Sequence, residues 1–157
     1  MKLADTNVWL ALVFSKHLFH DAAQAWLAME TADRNVVFCR STQQSFLRLI
    51  TTAAMVKPYG ALPFNNTEAW ELYERFLADR RISMIEEPRD LGAHWKSLAT
   101  RETASPKVWM DAYLAALAIA GRHQFVTTDQ AFTQYPGLDL LVLSAKTKLA
   151  ESDSVEG

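Results

Sequence analysis

Five short apolar segments alternate with longer segments of helical periodicity along this 157-residue chain. The predicted strands are Lys2–Ala4, Val36–Cys39, Ile82–Ile85, Gln124–Thr127 and Leu140–Leu143. Strands that are separated by helices pair in parallel, and right-handed crossovers place the helices on both faces of the sheet. The alternation therefore predicts one α/β domain, with a mostly parallel central sheet of about four to five strands flanked by helices.

The helical segments carry apolar residues three and four positions apart and have recognisable ends. They are predicted at His20–Thr31, Ser41–Ala53, Thr67–Arg80, Arg89–Glu102 and from Ser105 to Gly121. Ser41 and Gln44 have the spacing of a capping box. Ser105 followed by Pro106 predicts an N-cap and a first-turn proline, and Gly121 predicts a glycine at the C-terminal cap.

The length favours one domain, predicted to span residues 1–150 and to be followed by a flexible polar tail at 151–157. Its single cysteine, Cys39, rules out an internal disulfide framework and suits a reducing cytoplasm. The net charge of −2 excludes a protein that coats nucleic acid by bulk charge, although not a local basic strip. No apolar run is long enough to span a bilayer, so we expect a soluble cytoplasmic protein without membrane contact.

Two aspartates directly follow predicted strands. Asp5 comes after the first strand and Asp129 after the fourth, at the ends where parallel sheets gather their ligands. The two carboxylates are therefore expected to point toward the same crevice. The same positions suit helix N-caps and turn residues, so either aspartate taken alone favours a structural role.

A third aspartate lies within the Ala-rich helix. Asp111 is expected about two turns into this helix, on the face that carries Leu114 and Ala118. A carboxylate on a packing face costs several kcal/mol unless it is paired. An ion pair with Lys107 is the structural alternative, but it leaves the other two aspartates unexplained.

Gln43 is a polar residue at the head of an apolar helical stripe that continues with Phe46 and Ile50. Two interpretations remain open at this point. Gln43 is either a first-turn residue of an exposed helix start or a group that reaches into a polar pocket.

Three carboxylates at one place require a cation, because like charges that close cannot all remain ionised. Asp5, Asp111 and Asp129 offer oxygen ligands without a histidine or cysteine cluster, which suits Mg²⁺ or Mn²⁺ rather than zinc. Mg²⁺ takes one or two direct carboxylates and keeps several waters, which the remaining acid can hold. Such a site polarises a phosphoryl oxygen and activates a water, as phosphodiester hydrolysis requires.

Four short motifs follow one another along the chain. They are Leu3-Ala4-Asp5-Thr6-Asn7-Val8-Trp9-Leu10, Thr42-Gln43-Gln44-Ser45-Phe46-Leu47-Arg48-Leu49, Asp111-Ala112-Tyr113-Leu114-Ala115-Ala116-Leu117-Ala118 and Val126-Thr127-Thr128-Asp129. In order and spacing, over nearly the whole chain, they resemble the PIN-domain family and within it the VapC-type toxins of toxin–antitoxin modules. The resemblance implies a metal-dependent endoribonuclease on a parallel-sheet fold. It also implies a homodimer that a VapB-like antitoxin holds inactive.

The resemblance also implies roles for individual residues. Asp5 and Asp111 match the direct metal ligands, with Mg²⁺ or Mn²⁺ as the ion, and Asp129 matches a further catalytic acid. Asn7 and Thr127 match polar positions that orient the site.

Gln43 departs from the family pattern, which commonly has a glutamate here. Glutamine keeps the shape but loses a charge, so we expect Gln43 to orient water or substrate in the catalytic site. The departure motivates one alternative, a catalytically degenerate PIN-fold module that only binds RNA or a protein. Another alternative is a phosphate-transfer enzyme with Asp5 as its nucleophile. Arg48, close in sequence to Gln43, is expected to contact a substrate phosphate.

Overall fold

The computed structural model describes residues 1–145, so the predicted tail and the end of the predicted domain lie outside the described residues. The strands are β1 (Lys2–Ala4), β2 (Val36–Phe38), β3 (Ile82–Met84), β4 (Gln124–Thr127) and β5 (Leu140–Val142). They form one sheet in the order β3-β2-β1-β4-β5, and each neighbouring pair is parallel. The predicted α/β class and parallel sheet are therefore confirmed.

Helices connect the strands. They are α1 (Thr6–Val13), α2 (His20–Met29), α3 (Arg40–Ile50), α4 (Ala53–Val56), α5 (Asn66–Ala78), α6 (Leu91–Ala99) and α7 (Val108–Ala120), with 3₁₀ turns at Lys57–Tyr59 and Gln130–Gln134. Helix α1 is missing from the sequence prediction because residues 8–12 are all buried, which leaves no polar face to reveal a helical period. Among the helices of residues 1–145, none has the length and hydropathy needed to cross a bilayer.

The two faces of the sheet carry separate hydrophobic cores, because successive strand residues point to opposite sides. Ala4 and Phe38 face a core built with α1, α2, α3 and α5. Leu3 and Val37 face a core built mainly with α6 and α7. Trp9 anchors the first core, since its indole stacks on Phe38 at a centroid distance of 3.7 Å and its Nε1 donates to the Ala4 carbonyl at 3.1 Å.

The capping box of α3 lies earlier than the predicted Ser41 and Gln44 pair. Cys39 is the N-cap residue, and its backbone N–H donates to Thr42 Oγ1 at 3.0 Å. Helix α3 therefore begins as soon as β2 ends, and its first turn lies at the carboxyl end of the sheet.

Helix α7 begins later than predicted. Ser105 forms a turn, in which its carbonyl accepts the Val108 N–H at 3.1 Å, instead of capping the helix with its side chain. Asp111 consequently lies in the first turn of α7 and not two turns into it. This places its carboxylate at the same end of the sheet as the start of α3.

Gly121 ends α7 as predicted, although for a different reason. Its φ is −82°, and the following residue, Arg122, has the left-handed conformation with φ of 52°. A Cβ on Gly121 would lie 2.4 Å from His123 Nε2. Glycine is therefore needed here to let the His123 ring approach the backbone.

Candidate active site

Asp5 lies where β1 ends and α1 begins, and its carboxylate is buried. Oδ1 accepts the Thr6 N–H at 2.7 Å, which caps α1. Oδ2 accepts hydrogen bonds from Thr127 Oγ1 at 2.7 Å and from Asn7 Nδ2 at 3.0 Å. Because β4 pairs with β1, its end brings Thr127 against Asp5. One side chain thus both begins a helix and faces the carboxyl end of the sheet.

Thr127 links the ends of β1 and β4. Its hydroxyl donates to Asp5 and accepts from Asn7 Nδ2 at 3.2 Å and from the Asp129 N–H at 3.1 Å. Asn7 Oδ1 in turn accepts the Thr128 N–H at 3.2 Å. The hydroxyl uses its proton and both lone pairs, so its orientation is fixed. The structure therefore brings both predicted supporting residues, Asn7 and Thr127, to Asp5.

Asp111 and Asp129 lie close enough to Asp5 to repel its charge. Burial raises the pKa of Asp5 to about 6, and the charges of Asp111 and Asp129 contribute to that rise. Burial and the charge of Asp129 likewise raise the pKa of Asp111, while Lys107 acts in the opposite direction. We refer to Asp5, Asp111 and Asp129 as the acid cluster. Its mutual repulsion creates a local demand for positive charge.

The structural alternatives for these aspartates have different outcomes. Asp129 does cap the 3₁₀ turn that follows it, since Oδ1 accepts the Ala131 N–H at 2.8 Å. The ion pairs found within residues 1–145 do not include Lys107 with Asp111. Capping therefore coexists with membership of the acid cluster, and an ion pair does not account for Asp111.

The donor set of the acid cluster fits a hard divalent cation. Asp5 Oδ1 accepts one hydrogen bond, from Thr6, and so retains a lone pair for a ligand bond. The raised pKa values of Asp5 and Asp111 are those of carboxylates that lack a neutralising charge. Within the described residues, no three acids, histidines or cysteines are close enough to enclose an ion by themselves. Mg²⁺ takes one or two carboxylates and completes its shell with water, so Asp5 and Asp111 are the pair that could hold it.

Gln43 lies in the first turn of α3 and is only 4% exposed, so the interpretation as an exposed helix start is wrong. Its Oε1 accepts a hydrogen bond from Arg40 Nη1 at 2.6 Å. Arg40 is the residue that the sequence interpretation missed as a candidate. Its signal is positional, because it follows Cys39 at the end of β2 and precedes Gln43 by one helical turn.

Arg48 lies at the opposite end of α3. It lies eight positions after Arg40, which corresponds to roughly 12 Å along the helix axis. Arg48 lines a cavity of about 320 Å³ between α3 and α5, together with Trp70. The structure does not bring Arg48 to the acid cluster, and Arg40 is the arginine of α3 at that end of the sheet.

Comparison with known proteins gives relatives along almost the whole chain. Ribonuclease VapC41 of Mycobacterium tuberculosis H37Rv is 50% identical over 145 residues, which cover 92% of this chain and 99% of that protein. The VapBC2 structure from Rickettsia felis, bound to a promoter DNA fragment, matches 91% of this chain and 98% of its own at 15% identity and a TM-score of 0.65. A toxin–antitoxin complex from Klebsiella pneumoniae matches 90% of this chain and 97% of its own, at 18% identity and a TM-score of 0.55. At these identities the two structures show a shared fold. The PIN-domain family model matches residues 2–138, and the chain therefore belongs to the PIN-domain family.

Proposed function

We propose that this chain is the toxin of a VapBC-type toxin–antitoxin module, an endoribonuclease that hydrolyses RNA with the help of Mg²⁺ or Mn²⁺. The observation that carries the proposal is the acid cluster at the carboxyl end of the sheet, where the pKa of Asp5 is raised to about 6. The 50% identity to Ribonuclease VapC41 supports RNA as the substrate.

The residues of the site have distinct roles in this proposal. Asp5 and Asp111 would hold the ion directly, and the chemistry supplied by a bound ion would be polarisation of the scissile phosphate and activation of a water. Asp129, which is exposed, holds water at the margin of the site. Thr127 and Asn7 both donate to Asp5 Oδ2, and this keeps the carboxylate in one orientation.

Gln43 acts on the substrate side through Arg40. Its carboxamide oxygen holds one guanidinium N–H, and the remaining N–H groups of Arg40 are available to a phosphate. Gln43 is thus a positioning residue whose neutral side chain leaves the full charge of Arg40 for RNA. Arg40 is therefore proposed to make the phosphate contact that was expected of Arg48.

A catalytically degenerate module that only binds RNA or a protein is the second candidate. The observation that favours it is the commitment of Gln43 to Arg40, since this side chain adds no negative charge to the acid cluster. A Mg²⁺ titration separates the two candidates. A degenerate site binds Mg²⁺ poorly and supports no cleavage at any concentration of the ion.

In this proposal the toxin works in the cytoplasm as a homodimer and is inhibited by a VapB-like antitoxin. An exposed apolar patch on α5 supports binding of a second copy, because Trp70 is 49% exposed and Leu77, about two helical turns further along the same face, is 36% exposed. Trp26 is buried in the core and is not part of that patch. Light scattering at micromolar concentration should give twice the mass of one chain, and the mass of a single chain contradicts the homodimer.

The ribonuclease is tested by sequencing RNA ends after brief induction of the chain. New ends are expected with the wild type and with Asp21→Ala, a control that removes an exposed acid from the start of α2. They should be lost with Asp5→Ala. The same new ends with Asp5→Ala, from protein produced at the same level, would show that the acid cluster does not cut RNA.

A further inference from the structure

A groove lined by aromatic side chains opens beside the acid cluster. It has a volume of about 540 Å³, and its lining includes Trp95, Trp109, Tyr113, Arg40 and Glu87. The Trp95 ring meets Trp109 edge to face at a centroid distance of 6.3 Å, and it meets Tyr113 in the same manner at 5.5 Å. Trp109 is 55% exposed, so a large part of its indole faces solvent.

Hydrogen bonds hold two of the aromatic side chains of the groove, Trp95 and Tyr113, in place. Trp95 Nε1 donates to the Trp109 carbonyl at 2.9 Å. The Tyr113 hydroxyl donates to Glu87 Oε1 at 2.6 Å. These bonds also occupy Glu87, the acidic residue of the lining. Because the exposed Trp109 ring packs edge to face on the fixed Trp95 ring, much of the aromatic surface is preformed and loses little conformational entropy on binding.

The groove and the acid cluster adjoin each other along α7, because consecutive residues of this helix belong to them. The Ser41 hydroxyl of α3 donates to Met110 Sδ of α7 at 3.0 Å, and both residues line the groove. Asp111 follows Met110, and helical geometry turns its side chain about 100° away, toward the cluster. An RNA strand bound over the acid cluster would therefore have the groove within reach.

Arg40 gives the groove its positive charge. It lies at the start of α3, where its Nη1 is held by Gln43 Oε1. The remaining N–H groups of its guanidinium favour an anionic ligand in the groove. An aromatic face beside an arginine is the combination that proteins use for single-stranded RNA, because any base can stack and every nucleotide carries a phosphate.

We propose that this groove binds the base of one unpaired nucleotide next to the cleaved phosphate, by stacking on Trp109, while Arg40 contacts an adjacent phosphate. The inference rests on the proposed ribonuclease function, since RNA must lie across the acid cluster to be cut. Stacking is tolerant of base identity, so the groove selects unpaired positions over base-paired ones. A base inside a duplex stem cannot reach the indole without being unstacked.

Steady-state cleavage of a short single-stranded RNA and of the same sequence within a hairpin stem tests the proposal. Trp109→Leu keeps apolar volume without an aromatic face, and Trp109→Phe restores a face. For the single strand, we expect Trp109→Leu to raise KM by about 5- to 150-fold, the factor that base stacking supplies, with a much smaller change in kcat. Trp109→Phe should stay close to the wild type, and Leu62→Ala, which removes an apolar side chain that is 87% exposed and lies outside the lining of the groove, serves as the unaffected control.

The stem substrate gives a second readout. Because Trp109→Leu removes the preference for unpaired RNA, the ratio of kcat/KM between single strand and stem should fall toward one. If Trp109 has a purely structural role, Trp109→Leu lowers kcat/KM for both substrates by the same factor. That result overturns the proposal. An unchanged KM in Trp109→Leu also overturns it, including the case in which the same variant loses affinity for an antitoxin peptide, since the groove then docks protein.

Failure of the proposed ribonuclease function can be distinguished from failure of the groove proposal. If the wild type cuts no RNA, the ribonuclease proposal fails, and the groove is tested by fluorescence anisotropy with fluorescein-labelled single-stranded RNA in EDTA. Weaker binding by Trp109→Leu than by Trp109→Phe then supports the groove. Equal binding by the two variants overturns it.

Discussion

The acidic side chains at the two ends of the parallel sheet lie in opposite electrostatic environments. At the amino end, the segments that lead into the strands form the ion pairs Lys2–Glu30, Arg80–Asp33 and Arg81–Asp79. The hydrogen bond from Arg81 lowers the pKa of Asp79 to about 2. At the carboxyl end, burial and the charges of Asp111 and Asp129 together raise the pKa of Asp5 to about 6.

This contrast separates stability from function within one small domain. A carboxylate whose pKa is lowered stabilises the folded state at neutral pH, and one whose pKa is raised destabilises it. Asp79 at the amino end therefore contributes stability, while the acid cluster at the carboxyl end stores an unfavourable repulsion that a bound cation relieves. Natural active sites commonly carry such a stability cost.

The contrast is tested most strongly by removing one charge at each end. Asp5→Asn and Asp111→Asn should each reduce Mg²⁺-dependent RNA cleavage by more than about 100-fold, since loss of supporting groups alone typically costs 10- to 100-fold. Asp79→Asn, at the amino end, should leave the cleavage rate within about threefold of the wild type. Purified proteins and one labelled RNA suffice for the measurement. Equal losses at both ends would remove the distinction between them.

The pH dependence of stability should have opposite signs at the two ends. The folded-state pKa of Asp5 lies above the unfolded value, so its contribution is most favourable below about pH 4 and is lost as the pH rises through 6. Relative to Asp5→Asn, the wild type should lose up to about 3 kcal/mol of unfolding free energy between pH 3.5 and pH 7 in EDTA.

Asp79 is the matched comparison for that titration. Its folded-state pKa is lowered, so its contribution is present above about pH 4 and is lost as the pH falls toward 2. Relative to Asp79→Asn, the wild type should therefore lose stability on acidification. Urea unfolding from about pH 2 to about pH 7 measures both differences, and parallel curves for all three proteins would contradict the assigned pKa shifts.

A smaller effect is expected at the exposed margin of the acid cluster. Asp129→Asn keeps an oxygen that can accept the Ala131 N–H, so the 3₁₀ turn remains capped. Because Asp129 is proposed to hold water and not the ion itself, the loss of cleavage should be about 10-fold. A loss as large as that of Asp5→Asn would make Asp129 a direct ligand.

The smallest effect is expected from Gln43→Glu. The new carboxylate would pair with Arg40, which neutralises most of the attraction that it adds for Mg²⁺. We expect the Mg²⁺ concentration for half-maximal cleavage to fall by at most about fivefold, the factor that corresponds to about 1 kcal/mol. A titration of the cleavage rate with Mg²⁺ measures the shift. A lower plateau at saturating Mg²⁺ would instead show that the neutral amide, or a free Arg40, is needed for turnover.

The sequence was sufficient for features that depend on strand order and strand ends. Asp5 and Asp129 follow apolar segments that became the neighbouring strands β1 and β4, so their proximity followed from the position of each aspartate at a strand end. The start of α7 was harder to predict, because Ser105 and Pro106 have the composition of a helix cap but form a turn. Local pattern does not distinguish these two uses of the same residues.

The groove could not be predicted from the sequence, for a different reason. It depends on the contact between Ser41 and Met110, which are 69 residues apart in the chain. The tryptophans on α6 and α7 have the spacing of ordinary core residues, and only the tertiary structure shows that Trp109 is largely exposed. The bond between Arg40 and Gln43 is local, yet the identity of neither residue signals it.

The carboxylate of Asp5 connects the chemistry of the site to the backbone of α1. Its Oδ1 caps the helix through the Thr6 N–H and is also the oxygen with a lone pair to spare for an ion. An ion that fixes this oxygen suppresses fraying of the first helical turn, so hydrogen–deuterium exchange of the Thr6 amide should slow when Mg²⁺ is added. Occupancy of the site is thereby converted into a backbone signal that can be read without any RNA, at an amide that the catalytic reaction never touches.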